Sequence, residues 1–155
     1  MVYDISLCAK TIDPIASQNL LRERLRTLPD CGGLASFEGI VRNHNHGLQV
    51  KYLEYSAYSE LALSEMTAIA QEATLTHDLK YVQIVHRTGK LFIGETAVLI
   101  HVLTGHRAEA FAGCRMIIDQ IKLRVPIWKK EHYIQGHSDW VRCTHHPRHH
   151  EVTVG

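Results

Sequence analysis

Residues 81–126 read YVQIVHRTGKLFIGETAVLIHVLTGHRAEAFAGCRMIIDQIKLRVP, and the apolar period changes partway through. Tyr81–Arg87, Leu91–Ile93 and Thr96–Leu103 are rich in strand-forming residues, and Thr88-Gly89-Lys90 and Gly94-Glu95 separate them with turn composition. They predict three strands in an antiparallel run. From Thr104, a capping residue, Phe111, Cys114, Ile118, Ile121 and Val125 recur at steps of three and four, as on one helical face. Pro126 closes this helix, because the residue before a proline is driven out of helical ψ.

On the N-terminal side, Ser59-Glu60 opens a second helix carrying Leu63, Met66, Ala70 and Ala73 on one face, until Thr74–Asp78 dilutes the pattern. Val50–Tyr58 alternates before it, and Leu34–Val41 reads as a strand. The polar stretch Arg42-Asn43-His44-Asn45-His46-Gly47 lies between them, so those two strands are expected to pair as a hairpin or to lie as neighbours. Asp13-Pro14 starts the first helix, with Leu21, Leu25 and Leu28 in one stripe, and Pro29 to Gly33 stops it. Residues 2 to 8 alternate, with Tyr3, Ile5 and Leu7 opposing Asp4 and Ser6. The expected order is β-α-β-β-α-β-β-β-α, an α+β fold with helices packed on a mostly antiparallel sheet. A single domain over residues 1–141 and a polar, His-rich tail over 142–155 are expected.

The chain has 155 residues, 45% of them hydrophobic and 21% charged, enough for one core without disulfides or a structural metal. Its formal net charge of +1 argues against a wholesale electrostatic grip on nucleic acid or an anionic membrane. An RNA-binding domain is further disfavoured by the lack of an aromatic RNP-type strand motif. The longest apolar stretch, Ala97–Leu103, is interrupted by His101 and falls far short of the ~20 residues that span a bilayer. Asp4 and Lys10 break any secretory h-region, so a cytoplasmic protein is expected. Cys8, Cys31, Cys114 and Cys143 form no CxxC pair and read as reduced thiols.

The densest chemical signal is the segment from Lys122 to Glu131, in which Lys122, Arg124, Lys129 and Lys130 crowd a helix terminus. A solvated basic face would look the same. Pro126 and Trp128 point instead to a fixed chain with an apolar wall beside Lys129, where a partly desolvated lysine becomes a usable base. Gly105-His106-Arg107 stands at the first turn of the last helix, where free N–H groups favour an anion. Lys122 comes about 15 positions later, about 24 Å along the same helix, so one small ligand cannot reach both ends within one chain. Arg42 through His46 is a donor-rich loop that turn chemistry explains equally well. His145, His146, His149 and His150 are read as a terminus that fixes no metal, and His86 and His101 as histidines of the sheet.

Taken together, these residues resemble the catalytic (large) subunit of molybdopterin synthase. The resemblance is carried by Phe37-Glu38-Gly39-Ile40-Val41-Arg42-Asn43-His44-Asn45, Leu53-Glu54-Tyr55, His86-Arg87-Thr88-Gly89, Gly94-Glu95, Gly105-His106-Arg107 with Phe111, and Lys122 through Glu131. Gly136 and Trp140-Val141 resemble the closing segment, so the likeness runs from Cys31 to Val141. Thr104-Gly105 departs from a more usual Ser-Ala, and residues 142–155 have no counterpart.

The resemblance implies an α/β-hammerhead-like fold and an enzyme that converts cyclic pyranopterin monophosphate into molybdopterin by installing two sulfurs. The sulfur would arrive as a thiocarboxylate on the C-terminal glycine of a small ubiquitin-like subunit, not from the cysteines. A homodimer of large subunits with a small subunit at each end, a heterotetramer, is implied, with pockets completed across the dimer. Lys122 and Lys129 match the catalytic lysines. Arg42, His106 and Arg107 match substrate-binding positions, with Ile40, Val41, Lys130 and Glu131 flanking the pocket. No metal or cofactor is expected. The competing reading is a non-catalytic α+β module that holds a phosphorylated metabolite or a partner protein.

Overall fold

The computed structural model describes residues 3–143, and in it the strands divide between two sheets. In chain order the elements are β1 (Tyr3–Cys8), α1 (Pro14–Leu25), β2 (Gly33–Ile40), β3 (His44–Asn45), β4 (Leu48–Ala57), α2 (Ser59–His77), β5 (Leu79–Arg87), β6 (Gly89–Phe92), β7 (Thr96–Thr104), α3 (Arg107–Arg124), β8 (Ile127–Tyr133) and β9 (Val141–Arg142). The first sheet has the order β1-β5-β7-β2, in which only β1 and β5 run parallel. The second runs β3-β4-β8-β9, with β6 also on β4. The α+β, mostly antiparallel architecture expected from the sequence is the one that forms.

Two expected pairings do not form. A single residue, Thr88, separates β5 from β6, fewer than the two that a tight hairpin needs, so the chain cannot fold back on itself there. Both edges of β7 are occupied, by β5 and β2, and β6 therefore crosses to β4, where Leu91 sits opposite Leu53. The other correction concerns β2 and β4. The polar loop between them makes its own hairpin, pairing His44 with Gln49 and Asn45 with Leu48. His46 and Gly47 turn the corner, both at positive φ (49° and 77°), as a primed two-residue turn requires.

α1 starts where Asp13 accepts hydrogen bonds from the Ile15 and Ala16 N–H groups at 3.0 and 3.2 Å. Its Leu21, with Leu25 and Leu28, covers Tyr81 and Leu103 on one face of the first sheet. α2 and α3 pack on each other, α2 lies against β1 and β5, and α3 lies against β2 and β7. Met66, Ile69, Ala70 and Ile117 are fully buried in this main core.

The apolar face of α3 is rotated from the expected stripe. Ala110, Gly113, Cys114, Ile117 and Ile121 face the core, while Phe111 is 71% exposed. Gly113 permits this approach, because a Cβ there would lie 2.5 Å from Leu79 Cδ2. Nor does Thr104 cap the helix. Its hydroxyl donates to the His106 carbonyl at 2.6 Å, and His106 occupies the cap position.

Candidate functional site

α3 ends as Pro126 dictates. Val125 is already extended (φ −76°, ψ 128°), and two residues later the chain runs as β8, antiparallel to β4. This reversal, read in the sequence as a run of charges, brings the last turn of a helix beside a strand. Lys122 projects from that last turn, and Lys129 and Glu131 project from one face of β8 opposite Tyr55 and Leu53. Both lysines line one cavity of about 230 Å³, together with Ile40, Val41 and Arg42 from the end of β2 and Glu131. A register shift between Gly39 and Ile40 re-aims the end of β2, and Val41 exchanges backbone hydrogen bonds with Gly94 and Glu95 there.

The two lysines have different surroundings. Lys129 Nζ lies 3.1 Å from Glu131 Oε1. The same oxygen accepts from Asn45 Nδ2 at 2.7 Å, and the Tyr133 hydroxyl donates to Oε2. Arg42 reaches Asn45 Oδ1 at 3.4 Å, at the end of this chain of contacts. Glu131 is only 4% exposed, and burial alone would raise its pKa. Hydrogen bonds from Asn45, Tyr133 and Lys129 more than offset that and hold it below the usual carboxylate range.

Lys122 has no carboxylate within 4 Å among the described residues. Burial lowers its pKa, the Cys143 thiolate would raise it, and the charge of Lys129 lowers it further. Lys122 is thus readier than an ordinary lysine to give up a proton near neutral pH. Burial also pushes up the Tyr55 phenol and the Cys143 thiol beside it, and the Cys114 thiol to about 11. Protonated thiols are poor nucleophiles, which fits reading these cysteines as chemically quiet.

His86 lies edge-on to Tyr55, with ring centroids 5.3 Å apart, and its Nδ1–H donates to the Arg87 carbonyl at 2.8 Å. Burial pulls its pKa down to about 4 against the backbone hydrogen bond, and Lys122 pulls the same way. The unfolded chain takes up this proton near pH 6.5, but the folded chain does so only near pH 4. His86 therefore contributes stability fully above about pH 6.5, and about 3 kcal/mol of it should be lost as pH falls to about 4. Urea unfolding at pH 7.5 and pH 4.5 should show the loss, and His86→Gln should remove most of the difference. An unchanged pH dependence in that variant would rule His86 out as the source.

The four cations of the charged run separate in space. Arg124 pairs with Glu65 and Glu72 of α2, at 3.2 and 2.6 Å, and joins two helices. Lys130 sits opposite Glu54, on the other face of β8 from the cavity. On that face His132 stacks on Tyr52 and pairs with Glu54 at 2.7 Å. His106 and Arg107 are at the far end of α3 and do not line the cavity that holds Lys122 and Lys129.

Sequence reasoning did not place Tyr55, Tyr133 or Cys143 among the site residues. Reading 127–133 as a strand would have placed Tyr133 on the same face as Glu131 by simple alternation. Arg142 pairs with Trp128 in β9, and Cys143 is buried. His145, His146, His149 and His150 lie outside the described residues. Among the described residues no group of three or more His, Cys, Asp or Glu side chains is placed to hold a metal ion, and no helix is long and apolar enough to cross a membrane.

A second, larger groove of about 960 Å³ runs between β2 and α3. Phe37, Phe111, Ile118 and Leu123 make it apolar, Lys122 lines it as well, and β2 is an edge strand beside it.

Residues 10–124 match the family model described as MoaE protein. The molybdopterin synthase catalytic subunit of Thermoplasma volcanium is 37% identical over 136 residues, covering 88% of this chain and 96% of that one. The crystal structure of molybdopterin synthase from Staphylococcus aureus superposes with a TM-score of 0.75 at 33% identity, covering 87% of this chain and 94% of that one. A complex of subunits 1 and 2 of the molybdopterin-converting factor of Helicobacter pylori shares the fold, with a TM-score of 0.70 at 20% identity over 88% of each chain.

Proposed function

The chain belongs to the MoaE protein family, and from that premise we propose that it is the catalytic subunit of a molybdopterin synthase, transferring sulfur to cyclic pyranopterin monophosphate. The observation that carries the reading is the convergence of Lys122, Lys129 and Arg42 on one cavity, in which, among the described residues, only Lys129 is paired to a carboxylate.

The sulfur is delivered by the C-terminal thiocarboxylate of a small ubiquitin-like subunit. A two-subunit complex among the fold's structural relatives supports such a partner. Its sulfur forms a bond to a carbon of the pterin side chain as that carbon's bond to the ring oxygen breaks, and the oxygen leaves with a proton. Water then cleaves the acyl–sulfur bond, leaving a carboxylate on the partner and a thiolate on the substrate. Lys129, held by Glu131, presents a fixed positive charge to the oxyanion that develops in that cleavage. Lys122, without an ion pair among the described residues and with a lowered pKa, moves protons as the ring oxygen departs. Arg42 binds the phosphate of the substrate by charge-assisted hydrogen bonds.

His106 and Arg107 serve the same substrate from a second copy of the chain. The open edge of β2 and the apolar groove beside it are the surface for that copy, since the groove reaches Lys122. The formal net charge of +1 gives no basic excess for a nucleic acid, and among the described residues no helix is long and apolar enough to cross a bilayer. The small-molecule pathway and reduced thiols suit the cytoplasm.

Single-turnover conversion of cyclic pyranopterin monophosphate, with a thiocarboxylated ubiquitin-like partner, tests the assignment. Dithiolene product is expected. Tight pterin binding without product would make the chain a binding module instead. Arg42→Ala should raise the KM for the pterin about 10-fold or more with kcat changed little, the loss of one charge-assisted contact. A pure turnover defect at unchanged affinity would contradict that role.

A further inference from the structure

We propose that Tyr133 is a positioning residue for Lys129, acting through Glu131 by fixing the carboxylate that holds the lysine. The proposal rests on the reading above that Lys129 acts in sulfur transfer. Tyr133 does not line the cavity, so it is not itself a group that touches substrate. It stands two residues beyond Glu131 on β8 and shares its face, and its hydroxyl donates to Glu131 Oε2. The opposite oxygen, Oε1, takes Asn45 Nδ2 at 2.7 Å and Lys129 Nζ at 3.1 Å.

A carboxylate gripped at one oxygen can still swing about its last bond, because that torsion is broad. Gripped at both, it cannot. Among the described residues Tyr133 is the only side-chain donor to Oε2, so its hydroxyl is what turns an ion pair into a fixed geometry. The backbone behind it is also tied down. Glu131 N–H donates to Ser138 Oγ at 2.8 Å, and Tyr133 N–H donates to the Gly136 carbonyl at 2.8 Å. Gly136, at φ 94°, makes the turn that brings Ser138 back to Glu131. Hydrogen bonding to the carboxylate, with burial, pushes the Tyr133 phenol up to about 12, so it stays a donor throughout the neutral range.

Tyr133→Phe removes one oxygen and keeps the ring. It should lower single-turnover kcat about 10-fold with the pterin KM within about twofold, since sub-ångström misplacement of a catalytic group acts on the chemical step. Thermal unfolding should be shifted by no more than a few degrees. In the Glu131→Gln background the same substitution should change kcat by less than about twofold, because its route of action is already gone. An undiminished kcat in Tyr133→Phe would overturn the proposal, and so would an equal loss in the Glu131→Gln background. A readout that needs no activity separates this from failure of the synthase assignment. Labelling by an amine-directed acylating reagent, followed by peptide mass spectrometry, should rise severalfold at Lys129 in Tyr133→Phe and stay constant at Lys122. Equal labelling of Lys129 in both proteins would sink the positioning role even if the wild type proves inactive.

Discussion

Lys122→Ala should cut single-turnover conversion by about 10²–10³-fold or more, the range for removing a group that moves a proton in the transition state. Folding should survive. Lys122 is on the last turn of α3, is half-buried, and makes no ion pair among the described residues, so truncation leaves no buried countercharge unpaired. Binding of the small subunit should persist for the same reason. Lys122→Arg sharpens the test. Arginine keeps the positive charge but cannot act as a base at any working pH, and its planar head does not replace a compact amine. If proton transfer is the role, the arginine variant should be nearly as inactive as the alanine one. Turnover retained in Lys122→Arg would reduce Lys122 to an electrostatic contact. Turnover retained in Lys122→Ala would remove it from the chemistry. Lys129→Ala should impair less, since it removes charge stabilisation while leaving the proton carrier in place.

Mixing two impaired chains should restore activity at low pterin concentration. His106 is 16 residues before Lys122 on the same helix, about 24 Å away, and it lies outside the cavity lined by Lys122. If Arg107 of one copy completes the pocket of another, Lys122→Ala and Arg107→Ala chains damage different halves of each site. In a randomly reassorted mixture half the dimers are mixed, and one site in each carries both wild-type residues, so activity should recover to about a quarter of wild type. With the pterin well below its KM, Lys122→Ala alone should stay near background and Arg107→Ala alone at about a tenth of wild type or less. Phe111→Asp, placed in the exposed apolar groove beside β2, should abolish the recovery by opposing association. Failure of the mixture to recover, with reassortment verified by mass, would place Arg107 outside the site or within the same chain's function.

The helices were legible because their signals are local. Asp13-Pro14, the leucine spacing of α1 and the stop at Pro126 each act within a turn or two of the residues they control. The strands were legible as segments but not as neighbours. Alternation along Leu48–Ala57 says which side chains share a face, and nothing in it says which edge will pair with which strand. That was settled elsewhere. β7 was already paired on both edges, Thr88 was too short a link for a hairpin, and His46-Gly47 closed a smaller hairpin inside the polar loop.

The same division runs through the site. The sequence by itself determined the helix positions, the α+β class and the residue types gathered near Pro126, and its motifs carried the family resemblance that named Lys122 and Lys129. Only the tertiary structure decided that Arg124 would bind α2, that Lys130 would face away, and that Glu131 would hold Lys129 while Lys122 makes no ion pair among the described residues. The physical reason is range. Helix signals act over a few residues, whereas strand partners, the hydrogen-bonded pair Asn45 and Glu131, and the ion pair Arg124 and Glu72 are far apart in the chain and meet only when the fold assembles.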